Sequence, residues 1–366
     1  PRSRALRICY ALPVAAAGWT WDDDLLTSRR VEPGEEYRSS FSVAGHPVSR
    51  YPVASLRREA VGLSLAAPMD VPRLQCFAAA SSGLWTEVDV GLSPATKKLG
   101  ASEASFSLLL YRSDGAWGLR SALERYYRLF PGWFENRTGR FGCWGWPIAP
   151  GKIPGVEEFG IAFLECGPLP DEEYRICREK GILTFHYIEP RGLRQVHRGV
   201  RNREDVPTWE KAVADLEAWA AEGESAETWA RAPRRVTARA LLNSLVHDTA
   251  GRPAHIVDYW DVYSHWWMTN PDPDLPSPNR AGLALDYEAG ASLAKADGIY
   301  VDSVSLLDRE NARREHFATA DLPLAFSLET AEPVIAADLS TYEFLAWMSG
   351  RLRAQGKHVM LNLFAP

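Results

Sequence analysis

Along the first third of the chain, β-branched and aromatic residues gather in short apolar runs separated by turn clusters. Runs at 6–12, 37–43, 60–66, 74–78 and 106–111 alternate with turn signals such as Pro33-Gly34 and Ser81-Ser82-Gly83. Several short strands at this spacing predict a β-sandwich over residues 1–115. The period then changes. Leu119, Ala122, Leu123, Tyr126, Tyr127 and Phe130 recur three and four residues apart, which predicts a helix over 118–130 that Pro131-Gly132 ends. Residues 116–137 are expected to link two domains.

From Arg140 the rhythm becomes strand, loop, helix. Strands are predicted at 141–146, 159–166, 182–188, 298–302 and 358–363, and helices at 171–180 (with Gly181 as C-cap), 209–221, 283–294 and 341–355. Runs 241–247 and 255–259 flank Thr249-Ala250-Gly251 and predict a hairpin insertion near 241–260. Alternating strands and helices imply parallel pairing with helical crossovers, in an open sheet or a closed barrel. Neither G-x-G-x-x-G nor G-x-x-x-x-G-K occurs, so a nucleotide-binding open sheet has no support. The expected fold class is α/β plus β: a sandwich followed, over 138–366, by a TIM-type (β/α) barrel. A full barrel has eight strands in typically ~250 residues. Five are counted, so the barrel is expected to be truncated at its C-terminal side.

Composition narrows the function. A net charge of −6 gives no attraction to nucleic acid or to an anionic membrane. No apolar run reaches the ~18 residues that span a bilayer. The five cysteines are irregularly spaced and read as buried free thiols. The eight histidines form no H-x-H or H-E-x-x-H, and no metal or other cofactor is expected. No G-x-S-x-G elbow occurs. Tryptophan is abundant, 14 residues with several in close groups. Flat indole faces suit the C–H faces of sugar rings, although large core side chains at a domain junction would leave the same pattern.

The sharpest local signal is Asp297-Gly298-Ile299-Tyr300-Val301-Asp302-Ser303. Barrel active sites lie at the C-terminal ends of the strands. Alternation sets Tyr300 and Asp302 on one face and Ile299 and Val301 on the other. With the aliphatic pair against the helices, Asp302 points over the barrel mouth; the competing reading is an Asp that caps the next helix. Glu165, His186, Tyr187, Glu189 and Asn362 stand at other strand ends, where hydrogen-bonding groups could meet sugar hydroxyls. Trp144, Trp146, Trp260 and Trp266 are expected as sugar platforms, with Asn270 and Asp272 as further hydroxyl partners.

The stretch 296–303 resembles the "DGI-x-[VL]-D" strand of barrel glycoside hydrolases, and the layout is similar to the α-galactosidase-like clan, families 27, 31 and 36. Trp117-Gly118-Leu119-Arg120, Tyr126-Tyr127, Phe130-Pro131 and the loop Asn270-Pro271-Asp272-Pro273-Asp274 are similar to segments of bacterial proteins of this type. One departure is plain: Tyr300 stands where family 36 has the Lys of its K-x-D strand. The resemblance implies that Asp302, at the end of the fourth counted strand, is the nucleophile of a retaining glycosidase. It also implies an acid/base on a sixth strand, beyond the five counted. Among the residues present, Glu189 is the best candidate for that role. The expected ligand is an oligosaccharide or glycoside. A non-catalytic carbohydrate-binding protein, and a transglycosylase or isomerase on the same barrel, remain alternatives.

Overall fold

The computed structural model describes residues 2–100, 103–223, 231–304 and 309–362. The N-terminal part folds into two antiparallel sheets. One orders Arg4–Pro13, Gly83–Leu92, Gln75–Ala80 and Glu36–Arg38; the other orders Leu109–Asp114, Val61–Ala66, Val53–Arg58, Thr20–Asp22 and Ser28–Arg30. Trp21, Leu56 and Leu65 of the second sheet meet Tyr37, Phe77, Ala79 and Leu84 of the first in one apolar cluster. Side chains that alternate along each strand therefore share a core. The sequence pattern missed Val53–Arg58 and Gly83–Leu92, whose near-continuous burial hides the alternation.

Leu119–Leu129 is the expected helix, and its apolar stripe Leu119, Ala122, Leu123 and Tyr126 packs on Val53, Ala66 and Tyr111 of the second sheet. Gly118 admits it. Its φ is +53°, and a Cβ there would lie 2.6 Å from Asp22 Oδ2 and 2.9 Å from Arg57 Nε, so the helix start sits directly on the Asp22–Arg57 ion pair, 3.0 Å long.

The C-terminal part is built on a five-stranded parallel sheet. In spatial and chain order its strands are Cys143–Gly145, Ile161–Cys166, Leu183–Ile188, Gly298–Val301 and His358–Leu361. The predicted fifth strand extended to residue 363, which lies outside the described residues. The sheet curls. Its first and fourth strands are three spacings apart, about 14 Å across a flat sheet, yet the Trp144 and Tyr300 rings stack at 6.0 Å between centroids. Among the described residues the sheet does not close on itself. Ile188, Ile299 and Val301 face outward onto Phe344, Met348 and Leu352 of the helix Ala337–Arg353. Tyr187, Tyr300 and Asp302 consequently face the hollow.

The predicted hairpin needs correction. Residues 241–244 end the helix Arg234–Ser244, whose buried Thr237, Ala238 and Leu241 follow the helical period. An antiparallel bridge between His247 and Pro253 does reverse the chain across Thr249-Ala250-Gly251, but the extended hairpin is formed by His255–Trp260 and Val262–Met268, and Gly192–Val196 adds a third antiparallel strand. The cysteines are free, but Cys9 and Cys143 are exposed, so only three of the five are buried. Between the fourth and fifth parallel strands, residues 309–336 run back to the N-terminal sheets. Gly91 N donates to Leu324 O at 2.7 Å, and Val43 and Leu74 pack on Ala325, Val334 and Ala336.

Candidate active site

The fourth strand is short and fully buried, so alternation commits its end, Asp302, to the concave side. Contacts also hold the two residues just beyond it, Ser303 and Val304. The buried Arg191 guanidinium donates to Val304 O at 2.6 Å and to Asp338 at 2.7 Å. Ser303 adopts φ 57°, a conformation uncommon outside glycine, with its hydroxyl 3.3 Å from Asp302 Oδ2. Asp302 takes donors from both sides: Tyr187 Oη reaches Oδ2 at 3.0 Å and Asn362 Nδ2 reaches Oδ1 at 2.6 Å. These partners come from the third strand and from just beyond the fifth.

Asp302 lies in a cleft of about 720 Å³. Trp144, Trp146, Trp260 and Trp266 wall it, with Glu165, Tyr187, Glu189, Tyr300 and Asn362 around its base. Trp144, Trp146 and Trp260 are 46%, 55% and 71% exposed. Core packing would not leave three indoles this open. Trp266 carries the Arg194 guanidinium over its ring at 4.9 Å, and Arg194 reaches Asp258 Oδ2 at 3.2 Å and Glu189 Oε2 at 3.5 Å. The antiparallel hairpin thus supplies one wall of the cleft, and its Asp258 ties to Arg194 of the adjoining strand Gly192–Val196, which reaches the floor.

Burial, reinforced by the charge of Asp302, pushes the Glu165 carboxyl up to about 7. Burial also raises Glu189; Arg194 opposes the shift and Asp302 adds to it. The Tyr187 and Tyr300 phenols are raised as well, by burial first and then by the neighbouring carboxylates. A carboxyl poised near neutrality beside another is the arrangement that acid–base chemistry uses. Among the described residues, no three His, Cys, Asp or Glu side chains are grouped so as to hold a metal ion.

No protein-family description and no curated protein matches this chain. Solved structures do. An α-galactosidase from Thermus thermophilus, in complex with p-nitrophenyl α-D-galactopyranoside, is 12% identical, with a TM-score of 0.47 over 98% of this chain and 64% of that one. A cycloalternan-degrading enzyme from Trueperella pyogenes is 12% identical, with a TM-score of 0.48 over 97% of this chain and 50% of that one. An α-N-acetylgalactosaminidase from Bifidobacterium bifidum is 12% identical, with a TM-score of 0.47 over 97% and 58%. The chain thus spans less than two thirds of the length of each of these three.

Ten of the thirteen predicted site residues line the one cleft: Trp144, Trp146, Glu165, Tyr187, Glu189, Trp260, Trp266, Tyr300, Asp302 and Asn362. Three do not. His186 alternates with Tyr187, lies under Glu288 on the helical side and lines a neighbouring chamber of about 320 Å³; burial lowers its imidazole to about 4. Asn270 and Asp272 belong to a buried network. Asn270 Oδ1 accepts from Asp272 N at 3.0 Å, and Asp272 Oδ2 accepts from the Thr319 hydroxyl at 2.5 Å. Short polar side chains in a proline-rich loop satisfy their own backbone, and here the turn Arg314–Ala318 covers them. The sequence reading passed over Arg194 and Asp258. Alternation along Gly192–Val196 and His255–Trp260 carried that signal, with one charged residue on the cleft-facing side of each strand.

Proposed function

We propose that the chain carries the nucleophile of a retaining glycoside hydrolase, with residues 1–115 as a β-sandwich, 116–137 as the connecting helix and 138–366 as five strands of a (β/α) barrel. Asp302 attacks the anomeric carbon while Glu189 gives its proton to the leaving oxygen. Water then attacks the same carbon, returns a proton to Glu189 and releases Asp302. The observation that carries this reading is the position of Asp302: a carboxylate at a parallel strand end, held by donors on both oxygens, at the floor of an indole-walled cleft.

Carboxyl spacing separates the two hydrolytic outcomes, about 5–5.5 Å for retention and about 6.5–9.5 Å for inversion. Tyr187 Oη is 3.0 Å from Asp302 Oδ2 and 3.5 Å from Glu189 Oε2, so these oxygens are no more than the two distances combined, about 6.5 Å, apart. That ceiling favours retention. Glu165, Asn362 and Tyr300 take sugar hydroxyls, and the indoles stack on ring faces.

The test is Asp302→Asn in the full-length protein on a panel of aryl glycosides. Hydrolysis is expected to fall by a factor of about 1,000 or more. A 2-deoxy-2-fluoro glycoside should leave a sugar on the peptide containing Asp302, read by mass spectrometry. Undiminished turnover, or a label on another residue, overturns the assignment.

A further inference from the structure

Beside the cleft lies the chamber of about 320 Å³ that His186 lines, and Tyr187, Glu189 and Arg194 border both spaces. Gly167, Pro168 and Arg231 line it from the exposed side. Its buried side carries three polar side chains almost out of water. His186 and Arg280 are 4% and 1% exposed, and the Glu288 side chain is 10% exposed. Each keeps one buried atom without a protein partner: His186 Nδ1, Arg280 Nη1 and Glu288 Oε1. Buried polar groups are ordinarily bonded. Three open ones around a single cavity call for a ligand that bonds them.

The rest of each group is held in place. Arg280 Nε donates to the Gly192 carbonyl at 3.3 Å, and Nη2 donates to the Glu189 carbonyl at 2.7 Å and to Glu288 Oε2 at 2.9 Å. The guanidinium is planar, so these bonds also aim Nη1. The His186 ring bonds the Glu288 backbone in the sense that favours a proton on the ring. With Nδ1 unpartnered, that donor is Nε2, and burial keeps the ring neutral, so Nδ1 is an open acceptor. The chamber therefore presents one donor nitrogen and two acceptors. A hydroxyl both donates and accepts, so neighbouring hydroxyls on one small molecule satisfy all three. An anion has no proton to give Glu288 or His186, and a cation would lie against the buried guanidinium. We propose that the chamber is a second binding site, distinct from the cleft, for a small neutral polyhydroxyl compound of the monosaccharide or cyclitol class, bonded by Arg280, Glu288 and His186. The volume falls at the lower end of the range for small-molecule sites, about 300–1,000 Å³.

Binding there requires no chemistry at Asp302 and stands apart from the retaining reading. The experiment titrates the full-length protein with myo-inositol by isothermal calorimetry, a polyol with no glycosidic bond to cleave. Saturable binding is expected. His186→Leu removes one acceptor and should weaken it about tenfold. Val196→Phe should abolish it with every polar group retained, because Val196 lines the chamber and not the cleft. Trp260→Ala, which alters only the cleft wall, should leave the affinity within about twofold, and inorganic phosphate should not compete. Absence of saturable heat means that water alone fills the chamber and overturns the proposal, whatever the aryl glycosides show. Unchanged affinity in Val196→Phe, loss of binding in Trp260→Ala, or displacement by phosphate overturns it equally.

Discussion

At the scale of single residues, Asn362 and Glu165 make different demands on the site. Asn362 Nδ2 donates to Asp302 Oδ1 at 2.6 Å, a charge-assisted contact of a kind worth about 1.5–3 kcal/mol. Asn362→Ala should therefore lower kcat by roughly 10- to 100-fold, measured by steady-state kinetics on the best aryl glycoside. Glu165 is 7% exposed and, by burial and by Asp302, holds its proton up to about 7. A carboxyl raised on folding destabilises the native state once it ionises. The penalty is absent below the unfolded value and grows as pH rises towards the folded one. Glu165→Gln should match the wild type at pH 4.5 and melt about 2 °C higher at pH 8 in a fluorescence-monitored thermal scan. The direction of Asp302 was legible because Ile299 and Val301 fixed the helix-facing side of a four-residue strand. The same rule, applied to Leu183–Ile188, would have turned His186 away from the cleft. Asn270 and Asp272 lie outside the cleft, and composition does not distinguish polar groups that face a cleft from polar groups that satisfy a buried turn.

At the scale of elements, the cleft depends on pieces that a strand-and-helix pattern reveals unevenly. The hairpin His255–Trp260 and Val262–Met268 was expected one element too early, because Leu241, Leu242 and Val246 read equally as strand and as helix. Its tip carries Trp260, which is 71% exposed. Trp260→Ala should leave the melting temperature within about 1 °C, since little packing is lost, and raise KM for oligosaccharides several-fold, measured by initial rates. The helix start at Arg280 behaves oppositely. Its guanidinium is buried, bonded to Glu288 at 2.9 Å and to the Glu189 carbonyl at 2.7 Å. Arg280→Met strands the Glu288 charge and should cost about 3–5 kcal/mol by urea denaturation, much of it regained in Arg280→Met/Glu288→Leu. Nothing in the local pattern marked Arg280 as internal, because an arginine among Asn, Ala and Gly is ordinarily a surface residue.

At the scale of the whole molecule, one buried histidine joins distant parts of the chain. His46 Nδ1 is 2.6 Å from Asp89 Oδ2, and Nε2 is 2.7 Å from the Phe326 carbonyl oxygen. Both partners are acceptors, so the ring bonds both only as an imidazolium. Burial opposes that charge, but Asp89 and the carbonyl outweigh it and raise the imidazole. A group raised on folding contributes stability that is complete below its unfolded value, about 6.5, and is lost as pH rises through the folded value. Urea midpoints should fall from pH 6 to pH 9 in the wild type and change less in His46→Gln. The two-part layout was legible, since the hydrophobic period changes near Arg140. The return of 309–336 to the first sheets was not, because it is written in contacts between residues more than two hundred positions apart.

That return path has a practical outcome. Gly91 receives the segment closely, with a Cβ there falling 1.9 Å from Ala325 O, and the polypeptide delivering Asn362 to Asp302 must first pass through this seam. A clone starting after residue 137 would uncover Leu324, Ala325 and Val334 to water and release the strand that carries Asn362. The barrel portion is therefore expected to be recovered as aggregate when expressed by itself, and co-expression with residues 1–137 should restore it to the supernatant.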